Sequence, residues 1–213
     1  AQTIVANLIK SLSPEHELFV LYGGEGEAWN NLDDNFTKIK LNGHRKSVSW
    51  KDVAVLFKLI YYRLRYKPDV VHLHSSKMGA LGRIAFNPKK IVYTVHGFDS
   101  IRKAYSKFLK IEKALKNRAF RIIGVSRYDV NYMRKEGIYK NVDYIYNGVI
   151  DHYPDGIIIE NDITDKLKEI RSKFSRIVMC ISRISPQKKF DMYVDIARTL
   201  PQYAFVWIGN KDE

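Results

Sequence analysis

The 213-residue sequence contains one cysteine, six prolines and no long uninterrupted apolar run. Its single cysteine, Cys180, cannot form a disulfide within the chain, which is typical of proteins from a reducing compartment. No stretch approaches the roughly 20 apolar residues that span a bilayer, and no basic-then-apolar leader opens the sequence. These absences predict a cytoplasmic location, and a hydrophobic content of 46% is sufficient for a globular core.

Acidic residues are scarce in the middle of the chain. The net charge is +13, and residues 51–150 carry the whole excess, with 21 Lys and Arg against 7 Asp and Glu. Plotted at about 100° per residue, segment 102–121 predicts a helix with its cations on one face and apolar residues on the other. Such a helix has three candidate partners: an anionic lipid surface, nucleic acid or water. The cations are Lys103, Lys107, Lys110, Arg118 and Arg121.

Strand-like and helix-like segments alternate along the first 150 residues. Runs rich in β-branched and aromatic residues predict strands, and amphipathic patterns predict helices between most of them. This alternation is typical of a parallel sheet covered by helices. The predicted strands are 17–24, 36–41, 69–75, 90–97, 121–126 and 142–149; the predicted helices are 2–12, 50–66, 78–86, 100–119 and 126–136, the last capped by Ser126 and ended by Gly137.

The alternation pauses at residues 151–163, where a proline, a glycine and several acids cluster. We therefore predict two α/β domains, residues 1–150 and 164–213, joined by a linker at 151–163. Residue 1 lies inside a helical pattern with no strand before it, and the second domain has few elements, so we expect both ends to be cuts in a larger protein. The predicted elements after the linker are helix 164–174, strand 176–182, helix 187–200 and strand 203–208.

Short motifs follow the predicted strands, at the positions where open parallel sheets bind ligands. In the second domain, Arg183, Lys188 and Lys189 follow the strand predicted at 176–182, around the beginning of the next helix. Cations and helix amides suit a phosphate or a diphosphate, although an isolated match of this kind also fits solvated loop lysines. The motifs are HLHSSKMGALGR (72–83), YTVHG (93–97), GVS (124–126), NGV (147–149), SRISPQKKF (182–190) and WIGN (207–210).

In this order the six motifs resemble those of the family-4 retaining glycosyltransferases, and the resemblance covers nearly the whole chain. That family implies the GT-B fold, an α/β architecture in which two Rossmann-like domains with parallel sheets face each other across a cleft. Residues 1–150 would be the acceptor-binding domain without its first strand and glycine-rich loop. Residues 164–213 would begin the nucleotide-sugar-binding domain, whose acidic motif would lie beyond residue 213. We therefore expect the 213-residue chain alone to show no transfer activity, which measurable turnover would refute.

The resemblance assigns the catalytic role in the first domain to His96, beside the reacting carbon of the donor sugar; a histidine satisfied by loop carbonyls is the alternative. Gly97 would let the backbone approach the donor closely. His74 and Ser75 lie where the family lines its acceptor cleft. His72 shares a face with His74, a spacing that could hold a metal, but no further ligand is evident nearby and the family usually binds its donor without one. We predict a structural role for His72.

In the second domain, Arg183 and Lys188 match the pair of cations with which the family neutralises the donor diphosphate as it leaves. Lys189 stands where the family often has glycine, and it would either reinforce this site or point to solvent. Gly209 resembles the glycine turn near the nucleotide. All four residues are therefore predicted to bind the donor.

The predicted function is that of a retaining hexosyltransferase, which moves a sugar from a UDP- or GDP-sugar to a glycan or lipid-linked acceptor, as in bacterial surface polysaccharide biosynthesis. It would need no metal and no permanently bound cofactor. Asn147 and Gly148 would lie beside the cleft where the chain crosses between domains, although turn chemistry alone explains both. The helix predicted at 102–121 would hold the enzyme on the inner face of the plasma membrane.

Two alternative functions remain at this point. A nucleotide-sugar epimerase has the same fold, but the motif order favours the transferase. A basic nucleic-acid-binding module would explain the charge of the middle segment. The sequence shows no zinc-finger spacing, no aromatic RNA-binding motif and no clear recognition helix, so we predict no nucleic-acid partner.

Overall fold

The computed structural model describes residues 2–23, 32, 35–41, 50–104, 106–148 and 162–210. The chain divides into two compact units, unit 1 (residues 1–149) and unit 2 (residues 150–213). Most of the linker predicted at 151–163 lies outside the described residues, and its last two positions belong to a helix.

The described part of unit 1 contains six strands and five α-helices, in the order that the sequence predicts. Four strands form one parallel sheet in the order β3-β4-β5-β6, and β1 and β2 form a separate parallel pair. The predicted parallel α/β fold is confirmed. The strands are β1 (Phe19–Tyr22), β2 (Thr37–Lys40), β3 (Val71–His74), β4 (Ile91–Val95), β5 (Arg121–Gly124) and β6 (Val142–Tyr144); the helices are α1 (Gln2–Leu12), α2 (Lys51–Tyr66), α3 (Ser76–Ala85), α4 (Ser106–Ala114) and α5 (Arg127–Lys135).

Helix α3 packs unusually close to the sheet, because two of its residues are glycines. A Cβ atom on Gly79 would overlap the ring of Tyr93 in β4, and one on Gly82 would overlap the side chain of Leu73 in β3. Larger residues would push the helix away from the strands. Gly79 and Gly82 therefore allow α3 to lie directly against β3 and β4.

A buried polar network joins α3, α4 and β4. Arg83 is fully buried, and its Nη2 atom donates to Glu112 Oε2 at 2.7 Å. Tyr93 donates its hydroxyl to the other carboxylate oxygen at 3.0 Å, and Arg83 also donates to the carbonyls of Gly79 and Leu115. Burial raises the pKa of the Glu112 carboxyl, and Arg83 acts against that shift. The buried guanidinium of Arg83 is thus paired with the carboxylate of Glu112 inside the main apolar core.

The sequence-based prediction of one basic helix over 102–121 is wrong in extent. Residues Ser100–Ala104 form a π-helix, α4 ends at Ala114, and β5 already begins at Arg121. Arg118 Nε donates to the carbonyl oxygen of Arg83 at 3.0 Å, and the amide of Phe120 donates to the carbonyl of Ile91. These contacts direct the chain from the end of α4 into strand β5. The cations of segment 102–121 therefore do not share one helical face.

Unit 2 contains a parallel pair of strands and two helices among its described residues. Strand β7 pairs with β8 in the register Ile177↔Ala204. Among residues 164–210, whose burial is described, only Ala204 is buried, so this part of the unit has little core of its own. The elements are α6 (Asp162–Lys173), β7 (Ile177–Ile181), α7 (Phe190–Thr199) and β8 (Ala204–Ile208). None of the helices in the described part of the chain is long and apolar enough to cross a membrane.

Candidate functional site

Two histidines meet at the carboxyl edge of the main sheet in unit 1. His74 is the last residue of β3, and His96 directly follows β4, its parallel neighbour. His74 Nδ1 lies 3.0 Å from His96 Nε2, so the two rings share one hydrogen bond. His72 lies further back on β3, with Nε2 at 2.8 Å from Thr94 Oγ1 of β4. The two residues that the sequence assigned separately to acceptor and donor are therefore direct partners.

The surroundings of the two histidines favour their neutral form. Burial lowers the pKa of His74 to about 3, with further contributions from His72 and His96. Burial also lowers the pKa of His96. A neutral imidazole has one donor and one acceptor nitrogen, so a single ring proton lies between the two side chains. The His96 Nδ1 atom, on the other side of the ring, is then the nitrogen that can meet a ligand.

Acidification should destabilise unit 1 because of this cluster. A histidine whose pKa is lower in the folded than in the unfolded protein binds fewer protons when folded, so the free energy of unfolding falls as the pH drops below about 6.5. For His74 alone we expect a loss of at most roughly 1.4 kcal/mol per pH unit between about pH 6 and pH 4. Urea unfolding at several pH values measures it.

The variant His74→Gln isolates this effect, since carboxyl groups also titrate at the acid end of the range. We expect the variant to lose less stability than the parent protein over the same pH interval. His16→Gln, an exposed position in the turn after α1, controls for the loss of a histidine outside the cluster. Equal pH dependence in the parent protein and His74→Gln would contradict the assignment.

The loop that carries His96 is tied to the first turn of α5 by Asp129. Gly97 has a φ of +89°, a conformation that favours glycine, and the following amide of Phe98 donates to Asp129 Oδ1 at 2.7 Å. Asp129 Oδ2 accepts the Ser126 hydroxyl, and Ser126 Oγ accepts the Asp129 amide. The predicted cap at Ser126 is confirmed, since its side chain accepts the backbone amide of Asp129 three residues later.

Ser75, the predicted acceptor contact beside His74, has a strained backbone. Its φ of 73° and ψ of 149° are unfavourable for a residue with a Cβ atom, and its side chain is exposed at the beginning of α3. Such strain costs about 1 to 3 kcal/mol and is concentrated at functional sites. Asn147 and Gly148 follow β6 at the same edge of the sheet, where both are exposed and lie outside regular structure.

The cationic loop of unit 2 joins β7 to α7. Arg183 and Lys188 are both exposed, and Pro186–Lys188 form a short 3₁₀ turn. Lys189 adopts a left-handed conformation, with a φ of 53°, immediately before α7. This conformation gives a physical reason why glycine suits the position. The loop thus presents three cations at the carboxyl end of β7, beside the first turn of a helix.

Gly209 lies against the root of this loop. It follows β8 with a φ of +139°, and a Cβ atom there would overlap the carbonyl oxygen of Ser182, the residue before Arg183. The same carbonyl accepts the indole N–H of Trp207 at 2.8 Å. Glycine is therefore required for the close approach of the two strand ends, whatever ligand the loop binds.

The predicted site residues thus form two groups, one in each unit. The first group gathers at the carboxyl edge of the β3-β6 sheet, and the second at the carboxyl ends of β7 and β8. In the described part of the chain, no group of three or more metal-type side chains is arranged to hold an ion. The first group is His74, Ser75, His96, Gly97, Asn147 and Gly148; the second is Arg183, Lys188, Lys189 and Gly209.

Solved structures define the class to which this architecture belongs. The chain superimposes over its full length on 58% of Anabaena HepE in complex with UDP and glucose, with a TM-score of 0.68 and 18% identity. It matches 60% of the S. aureus MnaA–UDP structure with a TM-score of 0.62 and 18% identity, and 58% of the UDP-N-acetylglucosamine 2-epimerase from Rickettsia bellii with a TM-score of 0.57 and 13% identity. At these identities the likeness shows the fold, which is of the GT-B type.

The chain belongs to Glycosyltransferase Family 4, whose model matches residues 1–152. It is 30% identical, over 74% of its length, to a 41.2 kDa protein in the cps region of Klebsiella pneumoniae. It is also 30% identical, over 75% of its length, to the UDP-Gal:alpha-D-GlcNAc-diphosphoundecaprenol alpha-1,3-galactosyltransferase of Escherichia coli. The chain spans about half the length of these two relatives, 48% and 45% respectively. The family resemblance read from the motifs is confirmed.

Proposed function

We propose that the full-length protein transfers a hexose from a nucleotide sugar to a glycan or lipid-linked acceptor, with retention of configuration. The observation that carries the proposal is the hydrogen bond between His74 and His96 at the sheet edge of a family-4 chain. Support for a lipid-linked acceptor comes from the E. coli relative, whose name specifies a diphosphoundecaprenol substrate. Bacterial surface polysaccharide biosynthesis is the proposed setting, on the cytoplasmic face of the membrane.

In this proposal His96 is the catalytic residue, and it acts as a neutral hydrogen-bonding group. His74 fixes the ring of His96 through Nε2, so that Nδ1 contacts the donor sugar near its reacting carbon. Asp129 holds the amide that follows Gly97, so the loop keeps its place when the sugar enters. Ser75 lies one residue beyond His74 at the same edge, and we propose that it contacts the acceptor together with His74.

The proposed roles in unit 2 concern the diphosphate of the donor. Arg183 and Lys188 would neutralise it and stabilise the charge that grows as the sugar departs. Lys189 would add a third cation, and Gly209 would let the β8 turn approach the nucleotide. Asn147 and Gly148 lie just before the boundary between the units, and we propose that they belong to the segment in which the chain crosses from unit 1 to unit 2. No metal is part of the proposed chemistry.

A nucleotide-binding measurement tests the donor assignment. We expect UDP to bind the full-length protein in calorimetry and to raise its melting temperature, with GDP and ADP weaker by at least about tenfold. UDP is the expected base because the E. coli relative is named for UDP-Gal. Failure of all three nucleotides to bind would contradict the proposed function, and a preference for GDP would overturn only the choice of base.

A further inference from the structure

Helix α2 is apolar on two opposite faces, and the described part of unit 1 buries only one of them. Val55 and Leu59 lie in the main core, exposed by 4% and 2%. On the opposite face, five large apolar side chains share an arc of about 80° at about 100° per residue, and each is more than half exposed. We call this row the α2 stripe: Trp50 78%, Val53 55%, Phe57 66%, Tyr61 60% and Leu64 62% exposed.

Cations run along one side of the α2 stripe. Lys51, Lys58 and Arg65 fall within about 40° of one another on the helical wheel, next to the stripe. The acidic residue of the helix, Asp52, is turned to the buried side, where its Oδ1 atom lies 2.6 Å from Lys77 Nζ. The exposed ionised side chains of α2 are therefore all positive.

Positive charge also borders the C-terminal end of the stripe on its other side. Arg63, Lys67 and Lys90 line a depression of about 200 Å³ next to Leu64. One exposed carboxylate, Asp69, lies there as well, with Oδ1 3.8 Å from Lys90 Nζ. The α2 stripe is thus an exposed apolar row between two sets of cations.

We infer that the α2 stripe lies in the surface of an anionic lipid bilayer. Exposed apolar patches of this kind mark interaction sites, and an apolar row flanked by Lys and Arg is the pattern of a helix at a lipid interface. The amphipathic rings of Trp50 and Tyr61 suit the headgroup level, and the cations beside them are complementary to anionic headgroups. A second copy of the chain would bring two cationic rows together, which disfavours self-association through this face.

This inference deepens the proposed function, on which it rests for the expectation of a lipid-linked acceptor. It also moves the membrane contact from the segment 102–121, where the sequence placed it, to α2. The membrane measurement uses neither nucleotide nor acceptor, so its failure is distinguishable from a failure of the proposed sugar transfer.

Vesicle sedimentation tests the inference directly. We expect the full-length protein to bind phosphatidylcholine vesicles that contain phosphatidylglycerol, to bind pure phosphatidylcholine far more weakly, and to dissociate as salt is added. Because each Lys or Arg near the surface contributes about fivefold to binding, Lys58→Gln with Arg65→Gln should weaken it roughly twentyfold. Phe57→Ser with Tyr61→Ser should weaken binding to the same vesicles by at least about tenfold.

The matched control is Lys107→Gln with Lys110→Gln, two exposed lysines of the segment that the sequence favoured. It should change vesicle binding by less than about twofold, because the stripe is intact. Circular dichroism of each variant confirms the fold. The inference is overturned if the protein does not bind anionic vesicles, or if the α2 variants bind them as well as the parent protein does. A concentration-dependent dimer that Phe57→Ser abolishes would also overturn it, in favour of self-association.

Discussion

Replacing Glu112 by leucine should destabilise unit 1 by about 3 to 5 kcal/mol. The substitution leaves the fully buried guanidinium of Arg83 without its charged partner, and a guanidinium cannot shed its proton. It also removes the acceptor of the buried Tyr93 hydroxyl. Native-state hydrogen exchange of the β4 amides reports the free energy of unfolding for unit 1 separately from unit 2.

Two further variants show whether the charge or the packing is responsible. Arg83→Leu should cost less than Glu112→Leu, because a lone carboxyl can be neutralised by protonation, and burial already raises the pKa of Glu112. The double variant Arg83→Leu with Glu112→Leu should recover part of the loss, since no unpaired charge remains. Additive losses in the double variant would contradict this explanation.

The neighbouring position on the same helix supplies the control. Lys113 Nζ lies 2.6 Å from Glu136 Oε2, but this ion pair is at the surface, where the lysine side chain is 44% exposed. We expect Lys113→Leu to change the free energy of unfolding by less than about 1 kcal/mol. A loss as large as that of Glu112→Leu would mean that any change in α4 is disruptive, and would remove the special role of the buried pair.

Removing either Arg183 or Lys188 should lower kcat/KM of the full-length protein by about 100- to 1,000-fold. Fixed charges that meet charge developing in the transition state have effects of this size, and in the proposed reaction the departing diphosphate is that charge. The same alanine variants should weaken the binding of UDP while leaving the binding of uridine nearly unchanged, since uridine has no phosphate. Steady-state kinetics and calorimetry measure the two effects.

Lys189→Gly is the matched control in the same loop. Glycine accommodates the left-handed backbone of Lys189, so the substitution removes a charge without straining the turn. As a third cation outside the family's matched pair, Lys189 should contribute less than Arg183 or Lys188, and we expect its loss to lower kcat/KM by no more than about tenfold. An equal loss of kcat/KM in all three variants would indicate that the positive charge of the loop acts as a whole, without specific contacts. Unchanged kinetics in Arg183→Ala and Lys188→Ala would contradict the diphosphate assignment.

Much of the fold could be predicted from the sequence because its elements are locally encoded. Segments 90–97 and 121–126 are rich in β-branched residues, and the strands β4 and β5 form within them. The error at 102–121 has a long-range cause: Arg118 and Phe120 are held by the carbonyls of Arg83 and Ile91. A helical wheel drawn from sequence contains neither contact.

The candidate site shows the same division between local and long-range information. Strand-end positions and glycines could be read from the motifs, but the contact between His74 and His96 depends on how β3 and β4 pair in register. The bond from Phe98 to Asp129 joins residues that are 31 positions apart. The α2 stripe was also missed, because sequence periodicity shows that a helix is apolar without showing which of its apolar faces is covered.

The most direct test of the proposed function is the anomeric configuration of the product. The full-length protein would be incubated with UDP-galactose and a diphospholipid-linked N-acetylglucosamine, the substrates suggested by the name of the E. coli relative, and the product analysed by NMR. We predict acceptor-dependent release of UDP and an α-linked product, which retains the configuration of the donor. A β-linked product, or no acceptor-dependent consumption of any UDP-, GDP- or ADP-sugar, would contradict the assignment.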